Sequence, residues 1–180
     1  MVVSIVLTSF RVNWYNLLRE GGVFMGYYRG ATICLNGHVV SNWDKNYQKH
    51  CKECGSQTIS SCTNCDAAIE GEYHEPSIMV IGGTYQRPSH CQECGHAYPW
   101  TERVINNAVE LLSLDENISE EHKLIIKNAF PDLMVETPAT PVAVAKYKTY
   151  VPKAAETVQN GLKNIFVDVV SEAVKKSIWG

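Results

Sequence analysis

No apolar run in this 180-residue chain approaches the ~20 residues that a membrane span needs. Basic excess is missing too. With 16 Lys and Arg against 19 Asp and Glu, the formal net charge is −3, which leaves no whole-chain electrostatic footprint for nucleic acid. A P-loop, a Ser-His-Asp order and a paired-carboxylate motif are all absent, so no familiar catalytic machinery is legible and an enzyme is not expected. The apolar start Val2 to Leu7 has neither a basic n-region nor a small-residue cleavage site, so a cytoplasmic chain is expected. In that compartment thiols stay reduced, and cysteine pairs at close spacing point to metal.

Cysteine is what the chain does have, in one place. Its seven cysteines stand at 34, 51, 54, 62, 65, 91 and 94, and none follows Cys94. Four half-sites occur in order: Cys34-Leu-Asn-Gly-His38, Cys51-Lys-Glu-Cys54-Gly55, Cys62-Thr-Asn-Cys65 and Cys91-Gln-Glu-Cys94-Gly95. A C-x2-C turn aims two thiolates at one ion about 2.3 Å away. Gly55 and Gly95 follow second cysteines, where a left-handed backbone is often required. Eight ligands make two closed tetrahedral sites, one with three thiolates and an imidazole and one with four thiolates, and the spacing predicts two structural Zn2+ ions. The histidine ligand is the least certain by spacing. His50 beside Cys51 is a rival, and His38 is favoured because Asn36-Gly37 makes a tight turn that returns its ring toward Cys34. His74, His90, His96 and His122 have no such geometry.

Sequential pairing puts Cys34, His38, Cys51 and Cys54 on one ion and Cys62, Cys65, Cys91 and Cys94 on the other. A cross-braced, RING-like alternation is the competing arrangement. The sequential loops of 12 and 25 residues close at modest entropic cost, and tandem ribbons are expected. Ala67 to Tyr73 alternates and is expected to pair with Ile78 to Ile81. Each ribbon has few apolar residues, so metal binding should supply much of its folding energy.

Residues 101–180 read as helical. Thr101 is expected to cap a first helix with Trp100 stapled onto Ile105, and Val104, Ile105, Ala108, Val109, Leu111 and Leu112 form its apolar stripe. Ser119 starts a second helix that Pro131 should end. Thr137-Pro138 and Thr140-Pro141 mark the start of a third. A long amphipathic terminal helix is expected from about Pro152 to Trp179, about 42 Å, with Leu162, Ile165, Phe166, Val169, Ala173 and Ile178 on one face. Residues 101–136 hold three basic and eight acidic side chains, and residues 146–176 hold six basic and three acidic ones. The fold class is therefore α+β: a small tandem zinc-ribbon (rubredoxin-knuckle) β region over 25–100, then a helical domain over 101–180. Residues 1–24 read as a non-native or misannotated extension, because Glu20-Gly21-Gly22 before Met25 back-translates to a ribosome-binding site.

Taken together, Ile33-Cys34 to His38-Val39, Cys51-x2-Cys54-Gly55, Cys62-x-Asn64-Cys65, Ile69-x-Gly71-x-Tyr73 and Cys91-x2-Cys94-Gly95 running to Tyr98-Pro99-Trp100-Thr101 resemble a bacterial zinc-ribbon family. It is the one catalogued as domain of unknown function number 2321. The likeness extends to Thr140-Pro141-Val142-Ala143 and to the closing Val167 to Gly180. It implies the fold and the ligands and no activity. The family often has a basic residue where this chain has Glu70.

Three functions are compatible with these features. A protein-interaction or adaptor module would use exposed aromatics such as Tyr27, Tyr28, Trp43, Tyr47 and Tyr85 as anchors, with self-association through the C-terminal helix as a further contact. Nucleic-acid binding is the common use of zinc ribbons, but residues 25–100 carry five basic and seven acidic side chains, and Lys45, Lys49 and Lys52 are the only local cluster. A membrane-associated or defence-related role through the terminal amphipathic helix is the third.

Overall fold

The structure, a computed structural model, describes residues 26–44, 48–77 and 84–180. The expected extension over 1–24, Lys45 and Tyr47, and the Ile78–Ile81 strand lie outside them.

The first half holds two small antiparallel sheets. β1 (Tyr27–Gly30) pairs with β5 (Glu70–His74), with Tyr28 opposite Tyr73. β2 (Thr32–Cys34) lies between β3 (Val39–Ser41) and β4 (Thr58–Ile59). The strand expected over 67–73 thus forms three residues late and takes β1 as its partner. Gly71 is needed there because a Cβ would stand 2.2 Å from the Asn42 carbonyl oxygen. Ala31, Ile33, Ile69, Tyr98 and Trp100 are buried together with Cys62 and Cys91, a core of few side chains. Such a nucleus cannot by itself offset the ordering of some seventy residues.

The second half is six helices: α1 (Pro99–Ser113), α2 (Glu120–Lys127), α3 (Phe130–Met134), α4 (Thr140–Tyr150), α5 (Glu156–Phe166) and α6 (Glu172–Trp179). Their core gathers Ala108, Leu112, Ile126, Phe130, Leu133, Tyr147, Leu162 and Phe166. The stripe expected on α1 packs into it, with Ala108 and Leu112 fully buried. Ser119 caps α2 as expected, its side chain accepting from the His122 backbone N–H. Among the described residues no helix is long and apolar enough to cross a membrane.

Four expectations about the helices are corrected. Thr101 does not cap α1. Tyr98 holds that position, Pro99 starts the helix, and the Thr101 hydroxyl donates instead to the Ser89 carbonyl at 2.8 Å. Pro131 does not end a helix but sits in the first turn of α3, where its missing N–H costs nothing. Of the two Thr-Pro starts expected for the third helix the second is used, with Thr140 as the first residue and Pro141 in the first turn, but Ala139 and not a threonine holds the cap position. The long terminal helix is two shorter ones. Val151–Lys153 is a 3-10 turn, α5 stops at Phe166, and Ser171 caps α6 by accepting from the Val174 N–H. The break follows from Val167, Val169 and Val170, β-branched residues that disfavour helix, and from Ser171, which favours a cap over a helix interior. It lets Val170 and Val174 both turn into the core. Leu162 and Phe166 from the expected stripe are fully buried, while Ala173 is exposed.

α1 joins the halves. Its first turn brings Trp100 into the ribbon core, with the ring stacked on Tyr98 at 4.7 Å and the indole N–H donating to the Pro88 carbonyl. Two turns later Ala108 and Leu112 belong to the helical core. The boundary drawn at residue 100 therefore falls inside a helix shared by both cores.

Candidate metal centres

Each C-x2-C segment builds the same turn. Gly55 N–H donates to the Cys51 carbonyl at 2.8 Å, and Cys51 N–H donates to the Ser56 carbonyl at 2.8 Å. Asp66 and Cys62, and Gly95 and Cys91, repeat the first bond at 2.9 and 2.8 Å, and Cys62 and Cys91 repeat the second. A single bridge closes each turn: His50 with Gln57, Ser61 with Ala68, His90 with Ala97. The residue after the second cysteine is left-handed every time, at φ 70° for Gly55, 60° for Asp66 and 71° for Gly95. Asp66 has no glycine signal in the sequence. Asp is one of the few side chains that tolerates this region.

The first half-site has one more residue between its ligands, but its turn is one residue shorter. Gly37, at φ 88°, closes the β2–β3 turn by donating to the Cys34 carbonyl, so the longer imidazole of His38 reaches where a cysteine would stand.

These turns bring the eight expected residues into two groups. Cys34, His38, Cys51 and Cys54 form one, and Cys62, Cys65, Cys91 and Cys94 the other, with ligand atoms inside each group within 4.8 Å of one another. The grouping is sequential. His38 presents Nδ1, 3.6 Å from Cys34 Sγ, 3.3 Å from Cys54 Sγ and 3.7 Å from Cys51 Sγ. Sulfur pairs stand at 3.8 Å for Cys34–Cys54, 3.8 Å for Cys62–Cys94 and 3.6 Å for Cys65–Cys91. A disulfide needs about 2.05 Å. Two metal–sulfur bonds of about 2.3 Å at the tetrahedral angle span about 3.8 Å. The donor atoms thus fit the edges of metal-centred tetrahedra. In each group two ligands are buried and two exposed, which puts both sites at the rim of the small core. His50, the rival ligand, is in neither group.

Asparagine completes both sites. Asn36 and Asn64 each follow the leading cysteine of their group by two residues. Asn36 Nδ2 donates to Cys54 Sγ at 3.4 Å and Asn64 Nδ2 to Cys94 Sγ at 3.5 Å. His38 N–H donates to Cys34 Sγ at 3.2 Å, and Asn64 N–H to Cys62 Sγ at 3.4 Å. The two centres therefore share their asparagine support, though not their ligand set or first turn. The repeated Cys-x-Asn spacing is the sequence signal for it. Asn36 also donates to Ser56 Oγ at 2.9 Å and accepts from Arg103 on α1, while Arg87 donates to the Gly37 carbonyl at 2.8 Å. Two guanidinium groups thus stand beside the first cluster, one of them from the helical half.

These contacts prepare some thiols for ionisation. The Ser56 backbone N–H and the Asn36 amide hold Cys54 at about 6, against an ordinary 9.0. The Asn64 amide and the His96 backbone N–H hold Cys94 at about 6. Cys65 goes the other way. The Ala67 N–H pulls it down, but the crowded sulfurs of Cys94, Cys91 and Cys62, together with desolvation, push it up to about 12. In each cluster one thiol is thus drawn toward ionisation while another, Cys34 in the first and Cys65 in the second, is held toward its protonated form.

Of the expected aromatic anchors, Tyr27, Tyr28 and Trp43 are exposed. Tyr85 is not: it is half-buried, and its hydroxyl donates to the Glu70 carbonyl at 2.6 Å. Tyr73, which the sequence reading passed over, is exposed beside Tyr28 at 5.2 Å between ring centroids. Its place opposite Tyr28 depends on the β1–β5 pairing, which no local signal specifies.

Residues 27–178 match a family described as "Uncharacterized protein conserved in bacteria" (DUF2321). No curated protein and no solved structure matches the chain. The matched stretch takes in both four-ligand clusters, the two supporting asparagines and the six helices but for the last residue of α6, and the chain belongs to this DUF2321 family of bacterial proteins.

Proposed function

We propose that the chain is a non-catalytic, zinc-stabilised adaptor of the bacterial cytosol that docks a protein partner on the aromatic face of its ribbon region. Zinc is the ion favoured by four protein ligands of thiolate and imidazole type in a tetrahedron, since it needs no open position and no redox partner. With all four positions taken by side chains, neither site has room for the activated water of a hydrolytic centre. Thiolates outweigh the ions: three around Zn2+ carry one net negative charge and four carry two, moving the formal total from −3 to about −6. That works against phosphate contacts, which depend on Lys and Arg.

The observation that carries the reading is a cluster of exposed aromatics on the ribbon region; the exposed apolar side chains of the helical half, Leu114, Leu124, Val135 and Val142, stand singly on or beside α1, α2, α3 and α4. Tyr27, on one face of the two-stranded sheet, and Trp43, just after β3, gather around His74, whereas Tyr28 and Tyr73 pair on the other face. Tyr27 and Trp43 are fixed in place: His74 meets Tyr27 at 5.4 Å and Trp43 at 5.2 Å, and the Arg29 guanidinium lies 4.1 Å from the centre of the Trp43 ring. Asp44 pairs with that guanidinium at 3.1 Å, which offsets its charge. Rigid aromatics lose little conformational freedom on binding and dominate interface energetics.

Affinity capture from the native host, comparing wild type with a Tyr27→Ser/Trp43→Ser double variant, tests this. A partner enriched on wild type and lost on the variant, with metal content unchanged, supports it. Equal capture by both, or salt-sensitive nucleic acid in place of a protein, contradicts it.

A further inference from the structure

The helical half carries a second concavity, far in sequence from the cysteines. The end of α4, the 3-10 turn over Val151–Lys153, the middle of α5 and the end of α6 enclose a cleft of about 310 Å3. That is at the lower end of small-molecule sites, about 300–1,000 Å3. Its walls are apolar and partly aromatic, chiefly Tyr147, Pro152, Ile178 and Trp179. Its polar rim is Lys148, Gln159, Asn160 and Lys163, with no carboxylate among the lining residues. Two of these are already held in place. Lys148 Nζ donates to the Ser177 carbonyl at 3.1 Å, and Gln159 Nε2 to the Ala154 carbonyl at 2.8 Å.

Tyr147 forms the floor of the cleft. The residue is 4% exposed, and its sheltered hydroxyl has the Trp179 indole as its polar neighbour. Trp179 stands edge-on to its ring at 6.2 Å between centroids. Burial also pushes this phenol up to about 12, so it remains an O–H donor.

We infer that this cleft binds a small organic carboxylate, with the acid group on Lys148 and Lys163 and a flat apolar body against Tyr147 and Trp179. A single negative charge suits the site better than a phosphate dianion. α4 and α6 both end here, and the carbonyl ends of helices oppose excess negative charge. Only two lysines, and no arginine, line the cleft to offset it.

The test uses the full zinc-loaded chain and 2-naphthoate as the probe, with neutral 2-naphthalenemethanol as its control. Titration followed by 1H–15N NMR should give saturable shifts confined to the backbone amides of Gln159, Asn160 and Lys163 and the Trp179 indole, and much weaker ones with the alcohol. A Lys148→Gln/Lys163→Gln double variant should bind about 10-fold more weakly, in line with two partly exposed charge pairs. Lys127→Gln, outside the cleft, should leave affinity unchanged. No saturable shift at these residues, equal binding of the alcohol, or wild-type affinity in the double variant would each overturn the assignment.

Discussion

Single residues decide how sulfur is presented to the metal. Gly55 and Gly95 occupy left-handed positions with nothing within 4 Å of where a Cβ would be, so the demand on them is conformational and not steric. Gly55→Ala and Gly95→Ala should each cost about 1 kcal/mol, and Asp66→Gly should be neutral or raise stability by a similar amount. Thermal unfolding at fixed free zinc measures both directions. The cysteine pairs and these two glycines are legible from spacing alone, because a C-x2-C turn is a local object, whereas the choice of His38 over His50 rests on the Asn36-Gly37 turn. Asp66 is not legible, since its neighbours reveal its backbone only once the Cys62 turn is seen beside the other two. Protonation gives a second prediction. Cys54 and Cys94 are depressed from 9.0 to about 6. Between those values the unfolded chain binds more protons than the folded one, so these groups favour the fold fully above the ordinary thiol range and lose that effect as pH falls through about 6. Metal release, followed with a chromophoric chelator, should therefore steepen as pH drops toward and below 6. Release that is flat down to pH 5 would contradict the thiolate assignment.

At the scale of elements, the connections carry the information that periodicity missed. Asp115 is buried in the turn after α1. Its Oδ1 accepts from the Asn117 and Ile118 N–H groups at 2.7 and 3.0 Å, and its Oδ2 from the Ala155 N–H at 2.6 Å, the residue that caps α5. One carboxylate thus fixes the entry to α2 and the start of α5. Asp115→Ala strands three backbone donors and should cost about 3 kcal/mol or more, read as a fall in the denaturation midpoint of the helical signal. A loss below about 1 kcal/mol would show that water replaces the carboxylate easily. The stripe from Leu162 to Ile178 was legible as apolar with helical spacing, but its division was not. A cap at Ser171 and a valine-rich stretch compete with helix continuation, and tertiary burial of Val170 and Val174 settles the contest. The β1–β5 pairing was equally hidden, because Tyr27–Gly30 and Glu70–His74 are separated by both half-sites of the first cluster and one of the second.

For the whole molecule, two cores of unequal self-sufficiency share α1. The helical core is large and apolar, whereas the ribbon core is small and ringed by ligands. A strong chelator should unfold the ribbon region and fray the first turn of α1, where Trp100 loses its stack on Tyr98, yet leave most of the helical circular-dichroism signal. Collapse of all helical signal on chelation would instead show one cooperative unit. The division into a cysteine-rich β half and a helical half was legible in composition, since no cysteine follows Cys94 and the helical spacing begins after it. Their joint use of α1 depends on long-range packing and was not. Everything about the first half depends on paired four-ligand clusters holding ions. The most direct test is elemental analysis of protein purified without added metal: two equivalents of zinc per chain are predicted, and well under one equivalent would contradict the account.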